Sequence, residues 1–161
     1  MNRGGRYAPP KIVPRTKRPV DKQLIVVNHT TTTGGVSTTL YTCTYPGTIT
    51  GIRWSLSHHV VQDTAGTEGM WFIVVIRDGY AANAASLTSG SSLYQPESDV
   101  LAFGAFSGSR DTSGTDSGVI QDGSTKTMRK LQAGDVMLFV SIANVDSNID
   151  LFGAVQFFIK T

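Results

Sequence analysis

The chain has 161 residues, 40% of them hydrophobic, and its 14 Lys/Arg against 12 Asp/Glu give a formal net charge of +2. That is a one-domain length; a single cysteine, Cys43, excludes an internal disulfide, and no apolar run approaches the roughly 18–20 residues of a membrane helix. The N-terminus holds arginines without an apolar stretch, so it does not read as a secretory signal. Asn28-His29-Thr30 matches a glycosylation sequon, which without an export signal counts as chance. The expectation is a soluble, reduced, intracellular protein.

The near-neutral total hides an asymmetry. Residues 1–22 carry seven cations (Arg3, Arg6, Lys11, Arg15, Lys17, Arg18, Lys22) against Asp21 alone, a net charge of +6. Residues 23–161 carry the other seven Lys/Arg against eleven Asp/Glu, a net charge of −4. Four prolines (Pro9, Pro10, Pro14, Pro19) interrupt the first stretch, and no hydrophobic face runs through it. Such a segment cannot bury enough apolar surface to offset its ordering entropy, so residues 1–22 are predicted to be a disordered arm. Tails of this kind bind polyanions; the plainer alternative is a solubilising tail.

Beyond Gln23 threonine and valine dominate, stiff residues that suit pleated surfaces. Short apolar runs bounded by turn residues predict eight strands, at 24–30, 36–45, 47–58, 70–77, 99–107, 125–131, 135–143 and 150–160. Within 47–58, Ile52, Trp54 and Leu56 alternate but Ile49 is out of phase, which predicts a bulge at Gly51. The continuous run Trp71–Ile76 predicts a strand covered on both faces, the second cover being open to a neighbouring subunit. Tyr80, Ala84 and Leu87 fall at helical spacing, enough for two turns at most. Eight unevenly spaced strands with almost no helix predict an all-β fold, a single jelly roll of two antiparallel sheets over residues 23–161.

Little in this body reads as chemistry. His58 and His59 are adjacent on a strand and point to opposite faces, so they form no joint metal or catalytic site. With His29 they are expected to be satisfied structural or surface histidines. Asp111, Asp116 and Asp122 in SRDTSGTDSGVIQDG lack the spacing of an EF-hand loop and are expected to be solvated loop acids. Cys43, predicted on one strand face with Tyr41 and Tyr45, reads as a small buried hydrophobe. There is no nucleophile elbow, P-loop or dinucleotide fingerprint. Neither an enzyme, a cofactor nor a metal site is expected.

The arm is therefore the candidate site. Cations spread between prolines suit an extended segment laid along a phosphate backbone, without readout of base edges. Tyr7 is its one aromatic residue, so base stacking is a minor contribution. Pro14-Arg15-Thr16-Lys17-Arg18-Pro19 is also readable by a nuclear import receptor.

Three stretches carry a family resemblance: Tyr45-Pro-Gly-Thr-Ile-Thr-Gly-Ile-Arg-Trp54, Trp71-Phe-Ile-Val-Val-Ile-Arg-Asp-Gly79 and Lys126-Thr-Met-Arg-Lys-Leu-Gln-Ala-Gly-Asp135. With the basic arm, they resemble capsid proteins of circular Rep-encoding single-stranded DNA (CRESS-DNA) viruses and the single jelly-roll coat proteins of satellite viruses related to satellite tobacco necrosis virus. The resemblance implies a T=1 icosahedral shell of sixty copies, arms inside on a single-stranded DNA genome, with RNA as the other cargo. It further implies a virion protein that visits the host nucleus and has no membrane partner. This arm is shorter and more dilute in arginine than many in that family. The alternative is a trimeric or pentameric jelly-roll binding module of the tumour-necrosis-factor, lectin or nucleoplasmin type.

Overall fold

The computed structural model describes residues 20–32, 34–60, 67–77, 98–108, 121–143 and 149–161. They form eight strands: β1 (Val20–Thr30), β2 (Val36–Thr42), β3 (Gly47–Val60), β4 (Thr67–Ile76), β5 (Ser98–Gly108), β6 (Gln121–Leu131), β7 (Val136–Ala143) and β8 (Ile149–Lys160). Each of the eight predicted strands is present, with ends shifted by a few residues. No α-helix occurs among the described residues; the helical spacing of Tyr80–Leu87 lies outside them.

Pairing follows one rule. β1 pairs with β8, β2 with β7, β3 with β6 and β4 with β5, all antiparallel, as in a single long hairpin whose tip lies between β4 and β5. Further pairs, β3 with β8 and β4 with β7, roll that hairpin into two sheets ordered β1-β8-β3-β6 and β2-β7-β4-β5. This is the jelly-roll order, and the all-β expectation holds. Every connection except β4 to β5 crosses from one sheet to the other.

Alternation along the strands puts one set of side chains between the sheets. Val27, Ile52, Leu56, Trp71, Phe139, Val155 and Phe157 are among those buried in that space. At its centre Trp54 meets Trp71 edge to face, with ring centroids 5.2 Å apart, and Trp71 stacks on Phe139 at 5.8 Å. Both tryptophans lie over a cross-strand glycine. A Cβ on Gly123 would come within 2.3 Å of Trp54, and one on Gly104 within 2.6 Å of Trp71, so neither position has room for a side chain.

The predicted bulge is present. The register of β3 shifts between Ile49 and Gly51 against both neighbours, which leaves Thr50 as the extra residue relative to β8. The shift turns both Ile49 and Ile52 into the core.

Two expectations need correction, and a third, the covering of both faces of β4, is met. β1 begins at Val20 rather than at 24, so Val20, Asp21 and Lys22, which the sequence assigned to the arm, are strand residues. Strand β2 ends at Thr42: Cys43 bonds across to the β6–β7 turn (Cys43 N to Asp135 O 2.8 Å, Gly134 N to Cys43 O 2.8 Å), and the chain turns there. Cys43 is therefore buried while Tyr45 is exposed, and the two do not share a strand face. Finally, the run Trp71–Ile76 is covered on both faces within a single chain. Trp71, Ile73 and Val75 face the other sheet, while Val74 and Ile76 form a second buried cluster with Leu138 and Val140. Covering this face takes no neighbouring subunit.

Candidate nucleic-acid interface

Of the seven cations assigned to the arm, Lys22 alone lies in the described residues; Arg3, Arg6, Lys11, Arg15, Lys17 and Arg18 lie outside them, as do Tyr7 and the Pro14–Pro19 cluster. Lys22 stands on β1 with its side chain exposed, on the outer face of the first sheet. Its position on that face follows from the alternation of β1, where Val27 and His29 point inward and Lys22, Leu24 and Val26 outward.

Register then gathers residues far apart in sequence. Lys22 opposes Phe158, which opposes Gly51, which opposes Lys126. In the preceding row Val20 opposes Lys160, then Thr48, then Lys130; in the following row Leu24 opposes Gln156, then Arg53, then Ser124. Five cations (Lys22, Arg53, Lys126, Lys130 and Lys160), all exposed, thus occupy three consecutive rows at one end of one sheet face. The guanidinium carbon of Arg53 sits 5.7 Å from the centre of the Phe158 ring, a cation–π distance. Carboxylates on this face lie beyond those rows: Asp122 opposes Ser55 and Asp150 opposes His59. Asp21 neighbours Lys22 but alternates to the other side of β1.

The other two described cations behave differently. Arg77, just past β4, contacts Asp135 and Lys130 O through Nη1 (3.3 Å to the carbonyl) and Asp99 through Nη2 (3.3 Å), while Arg129 pairs with Asp99. Gln132 N also donates to the buried Asp135 carboxylate, at 2.9 Å. Burial, together with the charge of Arg77, pulls Arg129 down from the usual arginine range. This cluster joins β4 and β5 of one sheet to β6 of the other, and it includes the Arg and Asp of the Arg-Lys-Leu-x-x-Gly-Asp stretch.

Two of the three histidines, His29 and His58, are buried and hydrogen-bonded within the fold. His29 is buried between Ser141 Oγ (2.7 Å from Nδ1) and Thr38 Oγ1 (2.7 Å from Nε2), edge-on to Phe139, and burial lowers its pKa from 6.5 to about 4. His58 is buried and bonds Ser107 O at 3.0 Å, whereas His59 is exposed on the opposite face, as adjacent strand positions require. Cys43 Sγ donates to Tyr45 O at 3.1 Å; burial, then the charge of Asp135, pushes its pKa up and keeps it a protonated thiol. Asp122 is a strand residue of β6, not a loop acid; Asp111 and Asp116 lie outside the described residues. Among the described residues no group of three or more His, Cys, Asp or Glu is placed to hold a metal ion. A groove of about 620 Å³ between Met70, Phe106 and Ile142 is mainly apolar, with Glu68 the one charged residue among the described residues that line it.

No family model matches the chain, and no curated protein sequence matches it. Solved structures that overlap it include the tumour-necrosis-factor protein Eiger from S. frugiperda (11% identity, TM-score 0.44, covering 91% of this chain and 94% of that one). A pentameric capsid protein isolated from metagenomic phage sequences overlaps at 16% identity and TM-score 0.33, covering 83% of this chain and 60% of that one. The cyanophage Pam1 capsid asymmetric unit overlaps at 14% identity and TM-score 0.33, covering 98% and 96%. At such identities and scores the overlap assigns no role to this chain.

Proposed function

We propose that the chain is a viral capsid protein: a shell subunit that assembles with its own copies into a T=1 particle and holds single-stranded nucleic acid through its basic arm. The observation that carries this reading is the junction at Val20. There a segment with six cations enters a rolled two-sheet block at the end of the sheet where Lys160 and Lys130 stand. A rigid block whose outer surfaces are sheet faces and edges suits tiling, and an extended cationic leader suits sequence-independent contact with phosphates. One arm binds weakly at physiological salt; sixty arms on one particle bind with avidity, because each later contact is intramolecular. DNA is the assigned cargo on the family resemblance, and Pro14–Pro19 the assigned import signal for a virion protein assembled in the host nucleus.

Negative-stain microscopy and light scattering of the purified full-length protein test the shell. Closed particles roughly 20 nm across are expected for sixty copies; a discrete trimer or pentamer replaces this reading with an oligomeric binding module. Deleting residues 1–19, which leaves β1 whole, is expected to preserve particles and lower their nucleic-acid content.

A further inference from the structure

We propose that the outer face of the β1-β8-β3-β6 sheet is itself a path for single-stranded nucleic acid. This rests on the packaging role proposed above and adds to it a second, folded surface. Seven lysines and arginines lie in the described residues. Arg77 and Arg129 are consumed by Asp99 and Asp135. All five others converge on this one face and on adjoining rows of it, drawn from four strands, with no carboxylate among those rows. Chance placement would scatter them over two sheets, and solubility alone does not require a single-sign field.

The geometry indicates what kind of polyanion fits. The row from Lys22 to Lys126 crosses three strand spacings, about 14 Å; successive rows lie about 7 Å apart on β1 and β8, and about 13 Å separates Lys126 from Lys130 on β6, where Met128 intervenes. The face is a sheet, and among the described residues no helix or ribbon stands out from it to enter a duplex groove and read base edges. Between the cations it presents apolar surface: the Phe158 ring, partly exposed with Arg53 over it, and Met128, three-quarters exposed on β6 between Lys126 and Lys130. Alternating cations and flat apolar groups suit a strand whose bases are unpaired and free to stack, and a duplex offers them nothing. Val20, where β1 begins, lies at this end of the face as the cross-strand neighbour of Lys160.

The test uses the full-length protein and a fluorescent 20-residue oligothymidylate, with anisotropy read across a sodium chloride series. Replacing Lys126, Lys130 and Lys160 together by Gln is expected to flatten the slope of log affinity against log salt by about 2, at 0.7 for each single-strand phosphate that is no longer neutralised. The matching triple Lys→Arg variant is expected to restore it. Phe158→Leu is expected to weaken binding about fivefold or more with the slope kept, as removing a stacking partner does. An unchanged slope and affinity in the triple Gln variant overturns the path, and equal affinity for a 20-base-pair duplex overturns its single-strand character. The same variants are imaged as particles. Shells of normal form with reduced nucleic acid support the path, whereas shells with full content refute it and leave the capsid reading standing. Absence of shells from the wild-type protein refutes the capsid reading, while the salt series still decides the path.

Discussion

Two sets of positive charge coexist a few residues apart on β6 and do opposite work. Arg129 points between the sheets and joins Arg77, Asp99 and Asp135 in a cluster that spans both layers. Lys126 and Lys130, on the other side of the same strand, face water with no ion-pair partner among the described residues. Charges taken out of water are tolerated only when paired, and then removing one partner is costly. Charges left in water cost nothing to keep and are free for a ligand. A one-residue step along a strand thus separates a group that holds the sandwich together from one available for binding.

Asp135→Ala is the most damaging test of this division. It removes the buried partner of Arg77, leaving it Asp99 and the Lys130 carbonyl, and frees the Gln132 amide; a loss of about 3 kcal/mol in denaturant unfolding is expected, with the oligonucleotide salt slope of the folded protein unchanged. Acid provides the next largest effect. His29 is held neutral with a pKa of about 4 against 6.5 in the unfolded chain, so the unfolded state binds the proton first as pH falls. Stability is full above pH 6.5, is lost progressively from there to pH 4, and is roughly 2 kcal/mol lower at pH 5. In His29→Gln the stability curve is expected to be flat across that window. Arg77→Lys keeps the charge but gives up the fork that reaches Asp135 and Asp99 together, and a cost of about 1 kcal/mol is expected. The triple Lys126/Lys130/Lys160→Gln variant is expected to shift stability by no more than about 0.5 kcal/mol. If it unfolds the protein instead, the two sets of charge are not separable.

The fold was legible because its elements are local: runs of β-branched and aromatic residues between glycine-rich turns mark all eight strands, and the phase break at Ile49 marks the bulge. The ends were less so. Tyr41, Cys43 and Tyr45 alternate in sequence as a strand would, yet the bonds between Cys43 and the 134–135 backbone turn the chain at that point. The start of β1 is hidden because Asp21 and Lys22 resemble the arm, and its pairing with Ile159 and Phe158 is a tertiary fact. The basic face was not legible at all. Arg53, Lys126, Lys130 and Lys160 each look like an ordinary surface residue, and only the register of four strands brings them beside Lys22. The available signal was the parity of each cation within its strand, which becomes informative once strand order is known.

The rolled hairpin also governs how the molecule is made. Among the described residues β1 pairs with β8 alone, Val20 opposite Lys160, so β1, once synthesised, has no strand partner until β8 follows it. At 5–20 residues per second that is an interval on the order of ten seconds. Contacts this distant in sequence also make spontaneous refolding slow, in the millisecond-to-second range or beyond, a delay visible in the fluorescence of Trp54 and Trp71. Throughout it Leu24 and Val26 lie on a strand whose hydrogen-bonding edge is open.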